Sequence, residues 1–273
     1  MHKKINKRIR AAAINFLLKL RTIYDYISAS NLRLQKISLL KDGIHQFPYF
    51  DKEVKFYLPQ ADVEHIQASI LTKNSFYESN LLDFGNRINF FAGDVVDVGA
   101  NIGNHSLYFA IMSKAMSVVA FEPTPNQIKI FKKNVEINKL KNVSLHECGL
   151  GEKRSKGIIN GHDPKNAGGI RILNDPAGSI DIKTLDSFKL KGCDFIKVDV
   201  EGFEYNVLIG AKKTITKYRP NLWLELLIDQ EKIQKTRDLL AEYDYQEVAA
   251  FEGENYFFAP AEKADKYIAE IKR

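Results

Sequence analysis

The stretch VVDVGANIGNHS, residues 95–106, constrains the fold of this chain more than any other. A β-branched apolar run, typical of a buried strand, ends at an acid and gives way to Gly99 and Gly103. Glycine lets the backbone approach a ligand closely or adopt a positive φ, and the first turn of a helix presents free N–H groups. The pattern therefore predicts a strand, a glycine loop and a helix that bind a ligand at the carboxyl end of the strand.

Strand and helix patterns alternate from residue 95 onward. VVDV, VVAFE, VSLHEC, DFIKVDV and NLWLELL are typical of buried strands, whereas NQIKIFKKNVEINKL and FEYNVLIGAKKTITKY each have the periodicity of one helix. The segments YQEVAAF and NYFFAP predict a hairpin that adds an antiparallel strand. Because strands that alternate with helices form parallel sheets covered on both faces, we predict an α/β, Rossmann-like fold with a mostly parallel sheet.

Two acids flank the glycine loop. Asp97 precedes it directly, and Glu122 ends the next strand about 20 residues further on, where a carboxylate can accept hydrogen bonds from both ribose hydroxyls. The G-x-x-x-G spacing is neither a dinucleotide fingerprint nor a Walker loop, and Asp97 would repel a phosphate but attract an ammonium group. Ribose at Glu122 and an amino-acid ammonium near Asp97 describe S-adenosylmethionine, although either acid alone would also serve as a strand-end cap.

Four stretches of the chain resemble the FkbM-type methyltransferases. They are FYE (76–78), DVGANIGNHS (97–106), FEP (121–123) and DFIKVDVEGFEYNVLIGA (194–211), the last followed by Pro220 and Glu225. The resemblance implies a class I methyltransferase fold with a seven-stranded sheet, S-adenosylmethionine as cofactor, and transfer of a methyl group to a hydroxyl oxygen. The chain departs from the family at CGLG (148–151), where a run of small residues and an acid is more common.

The cofactor-binding residues that we predict lie in the glycine loop and at neighbouring strand ends. They are Glu78, Asp97, Gly99, Ala100, Asn101, Gly103, His105, Ser106, Glu122, Pro123, Cys148 and Gly149. The last two are small enough to let a purine pack. His105 is equally consistent with a helix-start histidine that packs against the sheet.

The catalytic residues are predicted at the ends of the strands that follow. Asp199 ends FIKVDV at the edge where the methyl group would sit, so it is either a general base or a cap of the helix that begins near Gly202. We expect Glu201 and Glu225 to orient the acceptor and Glu204 to be a solvated acid in the first helical turn. Asp199 and Glu225 would hold Mg²⁺ or another divalent ion if one is bound, but we do not expect the reaction to require it.

The long connection before the fourth strand of the sheet is rich in polar residues, and SIDIKTL (179–185) within it has the pattern of a strand. His162, in NGHDPKNAGGIRI, is predicted as a catalytic-site contact to a polyhydroxylated acceptor, together with Asn166. A surface hairpin with no role in catalysis is the alternative for this segment.

These residues favour an O-methyltransferase that acts on a hydroxyl of a carbohydrate, such as a cell-surface glycan or its precursor. Methylation of a polyketide or another small secondary metabolite is an alternative within the same class. The missing G-x-G-x-x-G opposes a nicotinamide-dependent oxidoreductase. The joint presence of Asp97, Glu122 and Asp199 opposes a non-catalytic, cofactor-binding scaffold.

The positive charge is concentrated at the N terminus. Residues 1–40 hold nine Lys or Arg against one acid, a net charge of +8, so the rest of the chain is −2 and we expect no nucleic-acid partner. Apolar residues recur at helical spacing from Ile5 to Ile27, which predicts an amphipathic helix. This helix would pack on the body or on a second copy in a homodimer, or would lie on an anionic membrane surface through residues 1–30.

The same segment sets the predicted domain division and location. We divide the chain into residues 1–75, a basic amphipathic helix with an accessory segment, and residues 76–273, the methyltransferase domain. Lys19 and Arg21 end the apolar stretch too early for a membrane span. The two cysteines, Cys148 and Cys193, have no partner at zinc-ligand spacing. They either form a structural disulfide or stay reduced; we expect a reduced, cytoplasmic protein, with peripheral contact at the inner membrane face as the alternative.

Overall fold

The structure is a computed structural model that describes residues 18–19, 21–22, 28, 30–160, 171–227, 229–251 and 254–272. Every apolar residue of the predicted N-terminal stripe, from Ile5 to Ile27, lies outside these ranges, as do His162 and Asn166. The predicted membrane contact and homodimer therefore stay predictions. Within the described ranges, no helix combines the length and the apolar character that a membrane crossing needs.

The strands and helices of the described residues follow one another along most of the chain. The strands are β1 (Ile44–Tyr49), β2 (Lys52–Tyr57), β3 (Gly93–Val98), β4 (Ala115–Phe121), β5 (Val143–His146), β6 (Gly149–Leu150), β7 (Ser155–Asn160), β8 (Arg171–Asn174), β9 (Ile180–Lys183), β10 (Phe195–Val198), β11 (Asn221–Glu225), β12 (Tyr245–Phe251) and β13 (Asn255–Pro260). The helices are α1 (30–38), α2 (His65–Lys73), α3 (Ser79–Arg87), α4 (Asn104–Met112), α5 (Pro125–Ile137), α6 (Glu204–Gly210), α7 (Lys212–Tyr218), α8 (Gln230–Glu242) and α9 (Ala261–Ile271).

A seven-stranded sheet forms the centre of the fold, with the strand order β12-β13-β11-β10-β3-β4-β5. The five strands from β11 to β5 run parallel, whereas β13 pairs antiparallel with both β11 and β12. This architecture confirms the predicted mostly parallel sheet with a C-terminal antiparallel hairpin. The strand order reverses between β3 and β10, and the carboxyl ends of the strands at such a reversal form the usual ligand crevice of open α/β sheets.

Apolar residues fill both faces of the central strands. Val95 belongs to one core cluster, with Phe195 and Trp223, whereas Val96 and Val98 belong to a second cluster on the other face. The alternation follows from the two-residue period of a strand. Because both faces are buried, nearly every residue of these strands is apolar, and their sequences are continuous apolar runs.

The N-terminal hairpin of β1 and β2 packs against the central domain. Phe47 and Phe56 lie in the same core cluster as Phe76. The backbone N–H of Tyr57 donates to the Asn134 side chain on α5 over 2.6 Å. The accessory segment therefore shares a hydrophobic core with the sheet that follows it.

Two features differ from the sequence prediction. A second, four-stranded sheet of β6, β9, β7 and β8 lies beside the central sheet, in a polar connection where the sequence predicted only the strand SIDIKTL, which is β9, and a surface hairpin as an alternative. The helix predicted over 203–218 is interrupted at Ala211, between α6 and α7. Gly210 lies so close to the main chain of the second sheet that a Cβ would be 2.0 Å from the Gly151 carbonyl oxygen, so the helix end is shaped by this contact.

Candidate active site

The carboxyl ends of three neighbouring strands bring charged side chains together. Asp97 on β3 and Lys197 on β10 are register partners, so their side chains lie on the same face of the sheet. Two residues further along, on that face, are Gly99 and Asp199, and Glu225 ends the adjacent strand β11. Three strand ends therefore supply one site.

The glycine loop has a backbone that only glycine tolerates at its first position. Gly99 has φ +82°, and a Cβ there would lie 1.7 Å from the Asp199 carbonyl oxygen. The Asp199 N–H donates to the Val98 carbonyl over 3.0 Å, which fixes the two strand ends against each other. Gly103, at φ +88°, then turns the chain into α4. The loop thus lies directly against the main chain of β10.

Glu122 is the buried carboxylate that follows β4. Its side chain accepts hydrogen bonds from the backbone N–H of Asn101 over 2.9 Å and of Thr124 over 2.7 Å. Burial raises the pKa of this carboxyl, and the hydrogen bonds from Thr124 and Asn101 oppose that rise. Two fixed donors therefore hold Glu122 beside the glycine loop.

A cavity of about 470 Å³ opens at this edge of the sheet, within the usual size range of ligand pockets. Its wall includes these predicted residues: Gly99, Asn101, Glu122, Pro123, Cys148, Gly149, Asp199, Glu201 and Glu225. Sequence reasoning missed the apolar lining residues Phe121, Leu150 and Ile182 and the aromatic lining residues His65 and Tyr77.

Six predicted cofactor-binding residues are not among the residues that line the cavity. They are Glu78, Asp97, Ala100, Gly103, His105 and Ser106. Asp97 is fully buried and accepts a 2.5 Å hydrogen bond from Ser106, while its Oδ1 has no partner among the residues that the structure describes. His105 Nε2 lies 3.0 Å from Glu78 Oε2. Direct contact of Asp97 with an ammonium group stays a prediction.

Lys197 is the central residue that sequence reasoning missed. Its side chain is 0% exposed, and its Nζ donates to Asp199 Oδ2 over 2.8 Å. Burial alone would lower the pKa of Lys197, but the carboxylates of Asp199, Asp97 and Glu225 raise it above its usual value. The signal was a charged residue inside the apolar strand pattern FIKVDV, because a buried lysine requires an acidic partner.

Asp199 and Glu225 form a coupled pair with opposite shifts. Burial would raise the pKa of Asp199, but the charge and hydrogen bond of Lys197 hold it below its usual value. Burial and the neighbouring Asp199 raise the pKa of Glu225 to about 9. At neutral pH Asp199 is therefore ionised, whereas Glu225 keeps its proton and donates a hydrogen bond to Asp199.

Tyr77 adds a neutral hydroxyl to the acidic side of the cavity. Burial and the nearby carboxylates of Glu78 and Glu225 raise the pKa of Tyr77 to about 12. The His65 and Tyr77 rings meet edge to face, with centroids 5.8 Å apart. The cavity therefore combines aromatic surface with hydrogen-bonding groups.

Two predictions for the turn after β10 are wrong. Glu204 is buried rather than solvated, because the turn folds onto its carboxylate and the Gly202 N–H donates to it over 2.8 Å. Asp199 does not cap the helix either: α6 begins after Phe203, which makes no side-chain capping bond, and the Asp199 carboxylate contacts Lys197 instead.

No group of three or more His, Cys, Asp or Glu side chains in the described part of the chain is arranged to hold a metal ion. The cation beside Asp199 is the Lys197 ammonium group. His162, the remaining catalytic prediction, lies outside the described residues.

The strand order and the cavity at its reversal define a class I methyltransferase fold. Residues 97–247, more than half of the chain, match the Methyltransferase FkbM domain, and the chain belongs to this family. This membership confirms the family predicted from the sequence motifs.

Three individual proteins illustrate what this chain is similar to. Methyltransferase 1 of Beauveria bassiana (strain ARSEF 2860) is 30% identical over 172 residues, which cover 54% of this chain and 69% of that protein. The crystal structure of Methyltransferase FkbM from Methylobacillus flagellatus KT has a TM-score of 0.47 and 18% identity, covering 73% of this chain and 56% of that one. The structure of M. jannaschii TYW2 in complex with AdoMet has a TM-score of 0.40 and 15% identity, covering 80% and 84%.

Proposed function

We propose that this protein is an S-adenosylmethionine-dependent O-methyltransferase that methylates a hydroxyl group of a carbohydrate. The observation that carries the proposal is the position of Glu122, a buried carboxylate beside the glycine loop, on the same cavity as Asp199. In this proposal, Glu122 binds the ribose of the cofactor and Asp199 receives the proton of the acceptor.

The residues present fit the cofactor. Glu122 would accept hydrogen bonds from the ribose hydroxyls, and the methionine part would lie where Gly99 and Asp199 line the cavity. Asn101 lines the cavity, and its Oδ1 is buried without a hydrogen-bond partner in the described residues. Because buried polar atoms are normally hydrogen-bonded, this oxygen would accept a hydrogen bond from the cofactor. Phe121 and Leu150 offer an apolar wall for adenine. When bound, S-adenosylmethionine supplies an electrophilic methyl group.

The acidic end of the cavity supports transfer to oxygen. A hydroxyl group has to lose its proton at or after the transition state, and a carboxylate within hydrogen-bond reach serves as the base. Asp199 is ionised at neutral pH and lies on the cavity wall, whereas Glu225 keeps its proton at that pH and so is not the base. We therefore assign the base to Asp199 and the orienting hydrogen bond to Glu225.

The acceptor side supports a carbohydrate. His65 and Tyr77 offer rigid aromatic surface with polar tips, against which the apolar face of a sugar ring can pack. The carboxylates of Asp199 and Glu201, on the same wall, are acceptors for sugar hydroxyls. A polyketide would use the aromatic surface but fewer of the carboxylates.

Calorimetry tests the cofactor assignment. Glu122→Ala removes a charge-assisted hydrogen bond worth about 1.5–3 kcal/mol, so S-adenosylmethionine should bind about tenfold more weakly or worse. Glu147→Ala is the matched control, because this glutamate is half-exposed near the same strand ends and pairs with Lys132. Equal affinity of wild type and folded Glu122→Ala would contradict the assignment.

An acceptor panel tests the reaction. Labelled S-adenosylmethionine is incubated with methyl glycosides and with hydroxylated polyketides, and methylated products are identified by mass spectrometry. The proposal expects O-methylated glycosides. Methylation of polyketides alone would favour the alternative substrate class, and cofactor binding without transfer to any acceptor would favour a scaffold.

A further inference from the structure

Lys197 is the fully buried cation of the active site. It lies on β10 between the register partners Asp97 on β3 and Trp223 on β11, and its Nζ is 5.8 Å from the Trp223 ring centroid. Its ammonium donates to Asp199 Oδ2 over 2.8 Å. A lysine in this position loses its hydration and is tolerated only because carboxylates surround it.

The side chain does not line the cavity, so Lys197 has no direct route to a bound ligand. Its connection to the cavity is through Asp199, whose carboxylate lies between the ammonium group and the wall. The main chain of Asp199 is fixed by its bond to Val98 and by the close approach of Gly99. Rotation of the carboxylate itself is restrained by Lys197 on one strand and by Glu225 on the next.

We propose that Lys197 is a positioning residue that holds the Asp199 carboxylate in the orientation in which it receives the proton of the acceptor hydroxyl. The inference rests on the proposed function of the same site. In the step itself, the hydroxyl O–H bond breaks as its proton passes to Asp199. The oxygen–methyl bond forms as the sulfur–methyl bond of S-adenosylmethionine breaks, and S-adenosylhomocysteine leaves. Lys197 forms and breaks no bond in this step.

A double-mutant cycle on the full chain tests whether Lys197 acts through Asp199. The rate is measured with labelled S-adenosylmethionine and the methyl glycoside that the wild-type protein methylates fastest. Lys197→Met should lower kcat about 100-fold, at the lower end of the contribution of a positioned base, while KM for S-adenosylmethionine changes by less than about threefold. In an Asp199→Asn background, Lys197→Met should cause no further loss.

A merely structural role gives a different pattern. If Lys197→Met lowers kcat by the same factor in both backgrounds, or mainly raises KM for S-adenosylmethionine, the proposal is overturned. Lys156→Met is the control, because Lys156 pairs with Asp181 at the same 2.8 Å distance on the surface and should leave kcat unchanged. Lys197→Gln, which removes the charge and whose side chain is one bond shorter than that of lysine, replaces Lys197→Met if the latter does not fold.

A crystal structure of Lys197→Gln separates this proposal from the proposed function. A displaced or rotated Asp199 carboxylate supports positioning by the ammonium, and an unchanged carboxylate overturns it. If the wild-type protein binds no S-adenosylmethionine or methylates no acceptor, the proposed function fails, while the position of Asp199 still decides the role of Lys197.

Discussion

Two ion pairs in this molecule have the same length and different surroundings. Lys197 and Asp199 lie 2.8 Å apart at the end of β10, and so do Lys156 and Asp181 on the second sheet. The side chains of the first pair are 0% and 25% exposed, whereas those of the second are 48% and 50% exposed.

The difference shows that distance alone does not tell what an ion pair does. Water and salt screen the exposed pair, so its two side chains lose little when they separate. The Lys197 ammonium is not solvated by water, so the carboxylates around it have to stabilise its charge. The buried pair is therefore able to fix a carboxylate in one orientation, and the exposed pair is not.

Removing one partner should give the largest contrast. Lys197→Met leaves Asp199 and Asp97 without their cation, and breaking a buried pair in this way costs about 3–5 kcal/mol of the free energy of unfolding. Lys156→Met should leave the unfolding midpoint nearly unchanged. Guanidinium denaturation of both variants measures the contrast, and similar midpoints for the two would break the comparison.

The pH dependence of stability should give the next contrast. Glu225, beside the buried pair, has its pKa raised from 4.5 to about 9 on folding, so its contribution is complete below about 4.5 and is lost as the pH rises to 9. Glu225→Gln should therefore flatten the decline in unfolding midpoint between these pH values. The pKa values of Glu122 and Glu204 are also raised, but these two residues contribute equally to the wild-type protein and to the variant.

The exposed pair should affect the free energy of unfolding only at low pH. The hydrogen bond and charge of Lys156 lower the pKa of Asp181, so any stabilisation is present above its ordinary pKa and is lost as the pH falls. Asp181→Asn should leave the midpoints between pH 5 and pH 9 unchanged. An unaltered slope in Glu225→Gln, or an altered slope in Asp181→Asn, would contradict the assignment of charges.

Salt should give the smallest effect. The Debye length falls to about 3 Å at 1 M salt, so any coupling between Lys156 and Asp181 in a double-mutant cycle of unfolding should disappear there. The coupling between Lys197 and Asp199 should persist at 1 M, because solvent ions do not reach the buried ammonium. Equal salt sensitivity of the two couplings would show that water reaches Lys197.

The amino-acid sequence by itself determined the local elements and the order in which they occur. The apolar runs around Val95 and Ile196 predict strands, and Gly99 predicts the tight turn after β3. Glu122 and Asp199 were placed at strand ends because the carboxyl ends of parallel strands share one edge. These predictions succeed because strand periodicity and the conformational freedom of glycine are local properties, which do not depend on residues distant along the chain.

Only the tertiary structure decided which charges are buried and which residues face the cavity. Lys197 was not predicted as a site residue because its burial depends on β3 and β11, which are distant along the chain. Glu204 was predicted as solvated because its burial depends on how the turn after β10 folds onto its carboxylate. His65 and Tyr77 precede the glycine loop by more than twenty residues. Tyr77 lies in the FYE motif, but only the fold brings its ring and that of His65 to the cavity wall. Burial and the choice of charge partners are properties of packing, so they appear only when distant segments meet.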